Sequence, residues 1–216
     1  MVTIILLAMV AGFVALRLYS VLGKRTGHEQ PIAKPLEGAA RPVTALRPTQ
    51  AALNDGAPVV DAAVGESAAA GVRQIAAADP TFNPAAFLEG ARSAYGMILA
   101  AFWKGDEKEL AQLADAEVAS AFREAIAGRK EAGLVLENRL ISIERAQIER
   151  AELDGQTAHV TVRFKADIAA VTRNAEGEVV AGSLSDAVVT DDVWTFSRNI
   201  RAADPNWILT ETDEAA

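Results

Sequence analysis

The sequence of 216 residues contains no cysteine and only two histidines, His28 and His159. Without cysteine the chain forms no disulfide bonds and offers no thiolate to a metal ion, which fits a domain facing a reducing cytoplasm. Neither histidine has a second histidine near it in the sequence, and a zinc site ordinarily needs at least three protein ligands. We therefore expect both histidines to be solvated, and we expect no metal site and no cofactor.

The motifs of common catalytic sites are also missing. The sequence has no G-x-S-x-G elbow, no G-x-G-x-x-G motif and no G-x-x-x-x-G-K-[ST] phosphate loop. Asp191 and Asp192 are adjacent on a predicted strand, so their side chains point to opposite faces and do not form a cooperating acid–base pair. We interpret both as charges at an edge or a turn, and Asp167 as a solvated strand residue. The sequence therefore carries none of these catalytic signatures, although spacing alone does not exclude a Ser-His-Asp triad.

Positive charge is scarce in the second part of the chain. The formal net charge is −8, and residues 79–216 hold fourteen basic and twenty-four acidic side chains. Nucleic-acid binding requires a basic surface to neutralise phosphates, so this composition excludes a nucleic-acid partner. It also predicts repulsion from anionic lipid.

The longest apolar run lies at the amino terminus, in "MVTIILLAMVAGFVALRLYSVLGKR". As a helix, residues 2–23 would span roughly 33 Å, about one bilayer core. The basic flank, Arg17, Lys24 and Arg25, follows the run, and positive charge favours the cytoplasmic side. We predict that residues 1–25 form a single-pass transmembrane anchor, with the N-terminus outside and the following domain in the cytoplasm.

Two alternatives for this segment stay open. A cleaved signal peptide would need basic residues before the apolar run and small residues at a cleavage site after it, and this sequence has neither arrangement. A soluble or peripheral helix is the other alternative.

A linker is predicted between the anchor and the folded domain, over residues 26–78. Five of the eight prolines fall between positions 31 and 58, and no apolar period holds across the stretch. The linker is either a plain tether or a docking segment for a partner. Residues 66–79, "ESAAAGVRQIAAAD", are compatible with a short helix.

Three helices are predicted at the start of the folded domain, which we place at residues 79–216. Asn83 is positioned to cap a helix that begins with Pro84 and ends at Gly105. Asp106 is positioned to cap a second helix, and a third runs from about Asp115 to Ala132. The first helix has an apolar stripe at helical spacing: Phe87, Ala91, Ala94, Tyr95, Ile98, Leu99 and Phe102.

After Gly133 the apolar period changes from helical to two, which indicates strands. Strands are predicted over residues 136–150, 158–168, 186–200 and 207–212, with turns at 154–155, 174–177 and 204–206. Helices followed by an antiparallel meander define an α+β domain, in which the helices cover one face of the sheet.

This order of elements resembles the Tim44-like domain, the carboxy-terminal part of a peripheral subunit of the mitochondrial import translocase. The resemblance covers residues 79–212, and the "LYSVLGKRTGHE" stretch resembles bacterial, membrane-anchored members of the family. The matching positions are Phe82, Phe87, Leu88, Tyr95, Gly105, Asp106, Leu110, Trp194, Phe196, Arg198, Pro205, Trp207 and Leu209.

The resemblance implies a fold similar to nuclear transport factor 2, with a curved antiparallel sheet wrapped against helices around an apolar pocket. It also implies a membrane-associated adaptor and not an enzyme, and the likeness to the bacterial members implies a bacterial inner membrane as its location. The mitochondrial member recruits a chaperone, largely through a long N-terminal region, and contacts anionic lipid; this chain has only an anchor and a linker in that place.

We accordingly expect an adaptor or scaffold whose cytoplasmic domain binds a protein partner or an acyl chain, in membrane-protein handling or translocation. The predicted pocket-lining residues are Tyr95, Leu99, Val160, Val162, Phe164, Trp194 and Phe196. Two alternatives remain: an isomerase- or dehydratase-like enzyme of the same general fold, and a ribosome or assembly anchor. An Asp–His or Asp–Tyr pair inside the pocket would favour the enzyme.

Overall fold

The computed structural model describes residues 63–214. The predicted anchor, with Arg17, Lys24 and Arg25, and residues 26–62 of the predicted linker lie outside the described residues. Within residues 63–214, no helix is both long enough and apolar enough to cross a bilayer.

Four α-helices precede the sheet, after a short 3-10 helix at Glu66–Ala68. Their bounds are α1 Ala69–Ala78, α2 Pro84–Lys104, α3 Glu107–Leu113 and α4 Ala116–Glu131. The predicted caps are confirmed: Asn83, Asp106 and Asp115 each accept a hydrogen bond from the backbone N–H three residues later, at 2.8–3.1 Å. Gly105 ends α2 with φ +75°, a conformation that glycine adopts without strain.

Five strands form one antiparallel sheet. They are β1 Val135–Leu136, β2 Arg139–Asp154, β3 Thr157–Arg173, β4 Val179–Asn199 and β5 Ile208–Glu214. Both β1 and β2 pair with β3, which pairs with β4, and β4 pairs with β5. The α+β prediction is confirmed, and the predicted hairpins at 154–155 and 174–177 connect the three long strands.

The strand pairing is interrupted by several register shifts, three in β2–β3, two in β3–β4 and one in β4–β5. Such bulges bend a strand and increase its twist, so the long strands can curve around the helices. One of the two shifts in β3–β4 leaves Leu184–Asp186 without partners on β3. Gly182, next to this bulge, has φ +90°, and a Cβ there would lie 2.0 Å from the Ala170 carbonyl oxygen.

The core lies between the sheet and the helices. Alternate residues of β3 point inward, so Val160, Val162, Phe164 and Ala166 are fully buried, as the period-two pattern predicts. The opposite face of the sheet is polar and carries exposed ion pairs such as Arg163–Glu149.

The folded domain begins earlier than the boundary predicted at residue 79. Helix α1 buries Val72 and Ile75, and Gly65 donates a backbone hydrogen bond to Ile148 of β2 at 2.7 Å. The short helix predicted within residues 66–79 is confirmed, but it packs on the sheet and does not belong to the linker. Its packing was not predicted because it depends on Gly71, whose close approach to Ala151 of β2 has no apolar period to indicate it.

A substitution at Gly71 tests the packing of α1 on β2. A Cβ at Gly71 would lie 1.7 Å from the Ala151 carbonyl oxygen, so Gly71→Ala should push α1 off β2 and destabilise the protein by about 1–3 kcal/mol. Gly128→Ala in α4 is the matched control, because its Cβ would meet nothing within 4 Å and should stabilise the helix by about 0.5–1 kcal/mol. Denaturant unfolding of both variants measures the difference, and equal stabilities would place α1 outside the cooperative unit.

Candidate functional site

The predicted pocket residues converge beneath the sheet, where six of the seven are buried and Leu99 is half-buried. Their rings pack against one another. Tyr95 stacks on Phe164 with ring centroids 4.5 Å apart, and Trp194 lies 4.6 Å from Tyr95. The aromatic side chains thus fill the space that we expected them to line.

An open groove lies beside this cluster, with a volume of about 580 Å³. One wall is the first three turns of α2, with a stripe of small residues at helical spacing: Ala86, Gly90, Ala91 and Ala94. The other wall is the β4–β5 connection, with Phe196 and Trp207, and α3 contributes Leu113. The volume falls in the usual range for ligand pockets, about 300–1,000 Å³. Among the seven predicted residues, only Phe196 lines the groove.

Aromatic contacts hold the groove in shape. Phe87 meets the edge of Trp207 at 4.7 Å and that of Phe196 at 6.2 Å, and Phe82 lies 5.8 Å from Trp207. Met97, at the far end of the helix wall, is 44% exposed. The surface that a ligand would meet is therefore mixed, with small and aromatic residues beside polar ones such as Thr81, Gln112 and Asn206.

A buried ion pair borders the groove. Arg198 of β4 donates to the Asp79 carboxylate at the end of α1, and its guanidinium lies 5.2 Å from the centroid of the Trp207 ring. The two side chains are only 12% and 7% exposed. The Thr81 hydroxyl donates to Asp79 at 2.6 Å. This hydrogen bond and the Arg198 charge outweigh burial and hold the pKa of Asp79 below its ordinary value.

The structure corrects the interpretation of Asp192. Asp191 does face solvent, beside Arg163, but Asp192 points inward and accepts a hydrogen bond of 2.6 Å from the Tyr95 hydroxyl. The error arose because Asp192 was read with its neighbour and not with Trp194 and Phe196, which share its strand face. Burial raises the pKa of Asp192, although the hydrogen bond from Tyr95 opposes that rise. Burial also raises the pKa of Tyr95, and the Asp192 charge adds to this effect.

Several groove residues were among the positions that resemble the Tim44-like domain in the sequence, but they were not predicted to form a site. Phe82, Phe87, Arg198, Pro205 and Trp207 were identified as matching positions, and all five line the groove. These positions cluster near the two ends of the domain sequence, and that clustering was the one feature of the sequence that could have indicated a shared site. Residues 63–214 contain no group of three or more His, Asp or Glu side chains arranged to hold a metal ion.

A comparison with known protein families identifies the family to which this domain belongs. The model of the Tim44-like domain matches residues 68–214. The chain belongs to the Tim44-like domain family. The match starts inside the 3-10 helix that precedes α1, in agreement with the packing of α1 on the sheet.

Two solved structures are similar to this Tim44-like chain. The intermembrane space region of the chloroplast protein ARC6 is 16% identical, with a TM-score of 0.38, covering 58% of this chain and 96% of that one. A proposed dehydratase of the NTF2-like family from Streptomyces avermitilis is 16% identical, with a TM-score of 0.33, covering 62% of this chain and 99% of that one. No curated protein matches the chain. The family assignment rests on the match over residues 68–214.

Asp192 gives this site a distinctive pH dependence. The pKa of Asp192 is higher in the folded chain than in the unfolded chain, where it is near 3.8. The free energy of unfolding therefore decreases as the pH rises from about 3.8 through the folded-state pKa of Asp192. Asp192→Asn removes the buried charge and can still accept from Tyr95. It should raise the melting temperature at pH 7 by roughly 2–4 °C, the shift that about 1 kcal/mol produces in a chain of this size.

The advantage of Asp192→Asn should disappear as the pH falls below about 3.8, where the wild-type carboxyl is itself neutral. Asp191→Asn is the control, since Asp191 is exposed and forms only a surface ion pair. A lower melting temperature for Asp192→Asn at pH 7 would show that the Tyr95 hydrogen bond favours the carboxylate more than burial opposes it.

Proposed function

We propose that this protein is a membrane-anchored adaptor whose cytoplasmic domain receives an apolar helix of a protein partner in the groove between α2 and the β4–β5 connection. The observation that carries the proposal is the groove itself, an open surface lined by small residues of α2 and by Trp207, with polar residues such as Gln112 and Asn206 among them. Membership of the Tim44-like family supports an adaptor role in a membrane-associated process.

The shape of the groove favours a helix. Its α2 wall has almost no side-chain volume at Ala86, Gly90 and Ala94, so a second helix backbone can approach closely, as amphipathic helices do in apolar grooves. Phe87 and Trp207 form a rigid aromatic surface, and exposed Met97 can adapt to different side chains. An acyl chain is the other occupant that such a surface accepts, at about 0.8 kcal/mol per buried methylene group.

The charged groups of the groove do not form an acid–base pair. Arg198 is held by Asp79, and Asp204 lies at the exposed rim. These are the groove's only two charged lining residues within the described part of the chain. A binding role, with no catalysis, is consistent with this lining.

A second candidate function is acid–base catalysis, which the Tyr95–Asp192 pair favours. A carboxyl group with a raised pKa, hydrogen-bonded to a tyrosine, is a combination that proton-transfer enzymes use. Neither residue lines the groove, however, and the Tyr95 ring is buried, stacked on Phe164 and packed beside Trp194. The pair therefore supports this candidate less than the groove supports binding.

Gly90 allows the groove to be filled without a clash. A Cβ at Gly90 would meet nothing within 4 Å, so Gly90→Leu should fold and place a side chain across the groove. We expect a photo-crosslinking amino acid at Met97 of the full-length protein to capture a protein partner in bacterial cells. Gly90→Leu should reduce that product at least tenfold.

The matched control is Gly128→Leu in α4, an equally open helical glycine that lies away from the groove. It should leave the crosslinked product unchanged, and a crosslinker at exposed Ala127 should not yield the same product. If the crosslinker captures lipid and no protein, the occupant of the groove is an acyl chain and not a helix. Equal products from Gly90→Leu and Gly128→Leu would exclude the groove as the binding site.

The proposed topology has its own test. The basic flank Arg17, Lys24 and Arg25 favours a cytoplasmic domain, so protease added to intact spheroplasts should leave residues 31–216 undigested. Lysis should then expose the domain to the protease. Digestion before lysis would show that the domain lies outside the membrane, opposite to the proposed orientation. Recovery of the chain in the soluble fraction would exclude the anchor.

A further inference from the structure

Exposed apolar side chains are concentrated at one end of the sheet. Seven large apolar residues are exposed within residues 63–214, and one of them is Met97 at the groove. The other six lie on β1, β2 and the first half of β4: Val135, Ile141, Val179, Val180, Leu184 and Val189. Val135 and Val179 share a partner, Arg173, so they lie in one row across β1, β3 and β4.

The first half of β4 also has an unpaired edge. Strand β5 pairs with β4 only from Asp192 to Ser197, whereas β3 pairs with β4 along nearly its full length. No strand among residues 63–214 pairs with Val179–Asp191 on the side away from β3. The backbone N–H and C=O groups on that side are therefore available to another strand.

The sequence of this edge is nearly palindromic. Residues 179–189 read "VVAGSLSDAVV", which is symmetric about Leu184 except that Gly182 corresponds to Asp186. When two identical strands pair antiparallel around a twofold axis, each residue lies opposite the residue at the mirrored position. A palindrome therefore places like side chains opposite one another on the two copies.

We propose that two copies of this protein associate through the Val179–Val189 edges of their β4 strands, antiparallel, with the twofold axis at Leu184. In this register Val179 lies opposite Val189, Val180 opposite Val188, and Leu184 opposite its own copy. Pairs of β-branched residues stabilise adjacent strands, and the contact covers apolar side chains that are otherwise exposed. The contact is isologous, as in most homodimers.

The charges of the edge agree with this register. Asp186 is the one charged residue within 179–189, and it would lie opposite Gly182 of the second copy, not opposite the second Asp186. The contact also has a natural limit, because β4 begins at Val179 and its edge is already paired with β5 from Asp192 onward. Pairing should therefore stop near residues 178 and 190.

The bulge at Leu184–Asp186 favours a second copy over an unrelated strand. A bulge protects an edge from indiscriminate pairing because it interrupts the regular spacing of hydrogen-bonding groups. A second copy has the same bulge, and the twofold axis at Leu184 places Leu184–Asp186 of one copy opposite Gly182–Leu184 of the other, so both irregular segments fall within residues 182–186. The flanking valines on each side can then pair in register.

The absence of cysteine makes the register directly testable in the full-length protein, kept in mild detergent. Leu184→Cys should form a disulfide-linked dimer under mild oxidation, because opposite residues of antiparallel strands have Cβ atoms close enough for a disulfide. A tagged Val179→Cys mixed with untagged Val189→Cys should form the mixed disulfide in preference to either homodimer. Ala127→Cys, exposed on α4, is the control and should remain unlinked.

Sedimentation of the full-length protein in the same detergent measures the association without a crosslink. Leu184→Asp puts two like charges opposite each other and should weaken the dimer at least tenfold. The control Gln74→Asp, at an exposed position of α1, should leave the dimer affinity unchanged. The melting temperatures of both variants show whether they fold. A wild-type chain that stays monomeric, or cysteine pairs that link in a different register, would overturn the proposal. Because Leu184 lies outside the groove, neither outcome bears on groove binding.

Discussion

The buried ion pair between Asp79 and Arg198 is the contact on which the arrangement of this domain depends. Asp79 lies where α1 ends and the chain turns into α2, and Arg198 lies near the end of β4. The pair therefore fixes two helices and the sheet at one point. Removing one partner of such a pair typically costs about 3–5 kcal/mol, because the other charge stays buried. Arg198 also stacks on Trp207, so the same contact orients the aromatic wall of the groove.

A second polar contact holds the middle of α2. The Tyr95 hydroxyl reaches Asp192 of the same strand, six positions before Arg198 in the chain, so both contacts tie helices to the inner face of β4. Between them lie Phe87, Phe196 and Trp194, which are fully or almost fully buried. The groove is consequently a surface between two fixed points, one just before α2 and one in its middle, and its shape should change little when a partner binds.

Features encoded locally were predictable from the sequence. Asn83, Asp106 and Asp115 each satisfy backbone N–H groups within one turn, and Gly105 and Gly177 adopt positive φ angles at helix and hairpin ends. The inward residues of β3 followed from alternation. The inward position of Asp192 also follows from alternation with Trp194 and Phe196, although it was not predicted. Features that depend on packing between distant segments were not predictable: the close approach of α1 through Gly71, the contact of Asp192 with Tyr95 and the filled space beneath the sheet. Each of these depends on which residues face each other, and that is fixed only by the complete fold.

The two proposed contacts lie at opposite ends of one strand. The bulge that contains Leu184 lies between the residues opposite Ala169 and Ala170, and Arg198 lies opposite Ala158, so the two are eleven to twelve β3 positions apart, roughly 38 Å at about 3.3 Å per residue. A dimer formed around Leu184 would thus leave the groove of each copy open, since no residue of the Val179–Val189 edge lines the groove. Two grooves on one dimer can engage two helices, or two sites of one partner, and linked binding sites gain affinity through their high effective concentration. Anchoring both copies in the same membrane would further favour this pairing, because a contact of eleven residues per copy is smaller than the roughly 20–30 residues a side of a standard stable interface. The edge contact and the groove contact would then strengthen each other without sharing a single side chain.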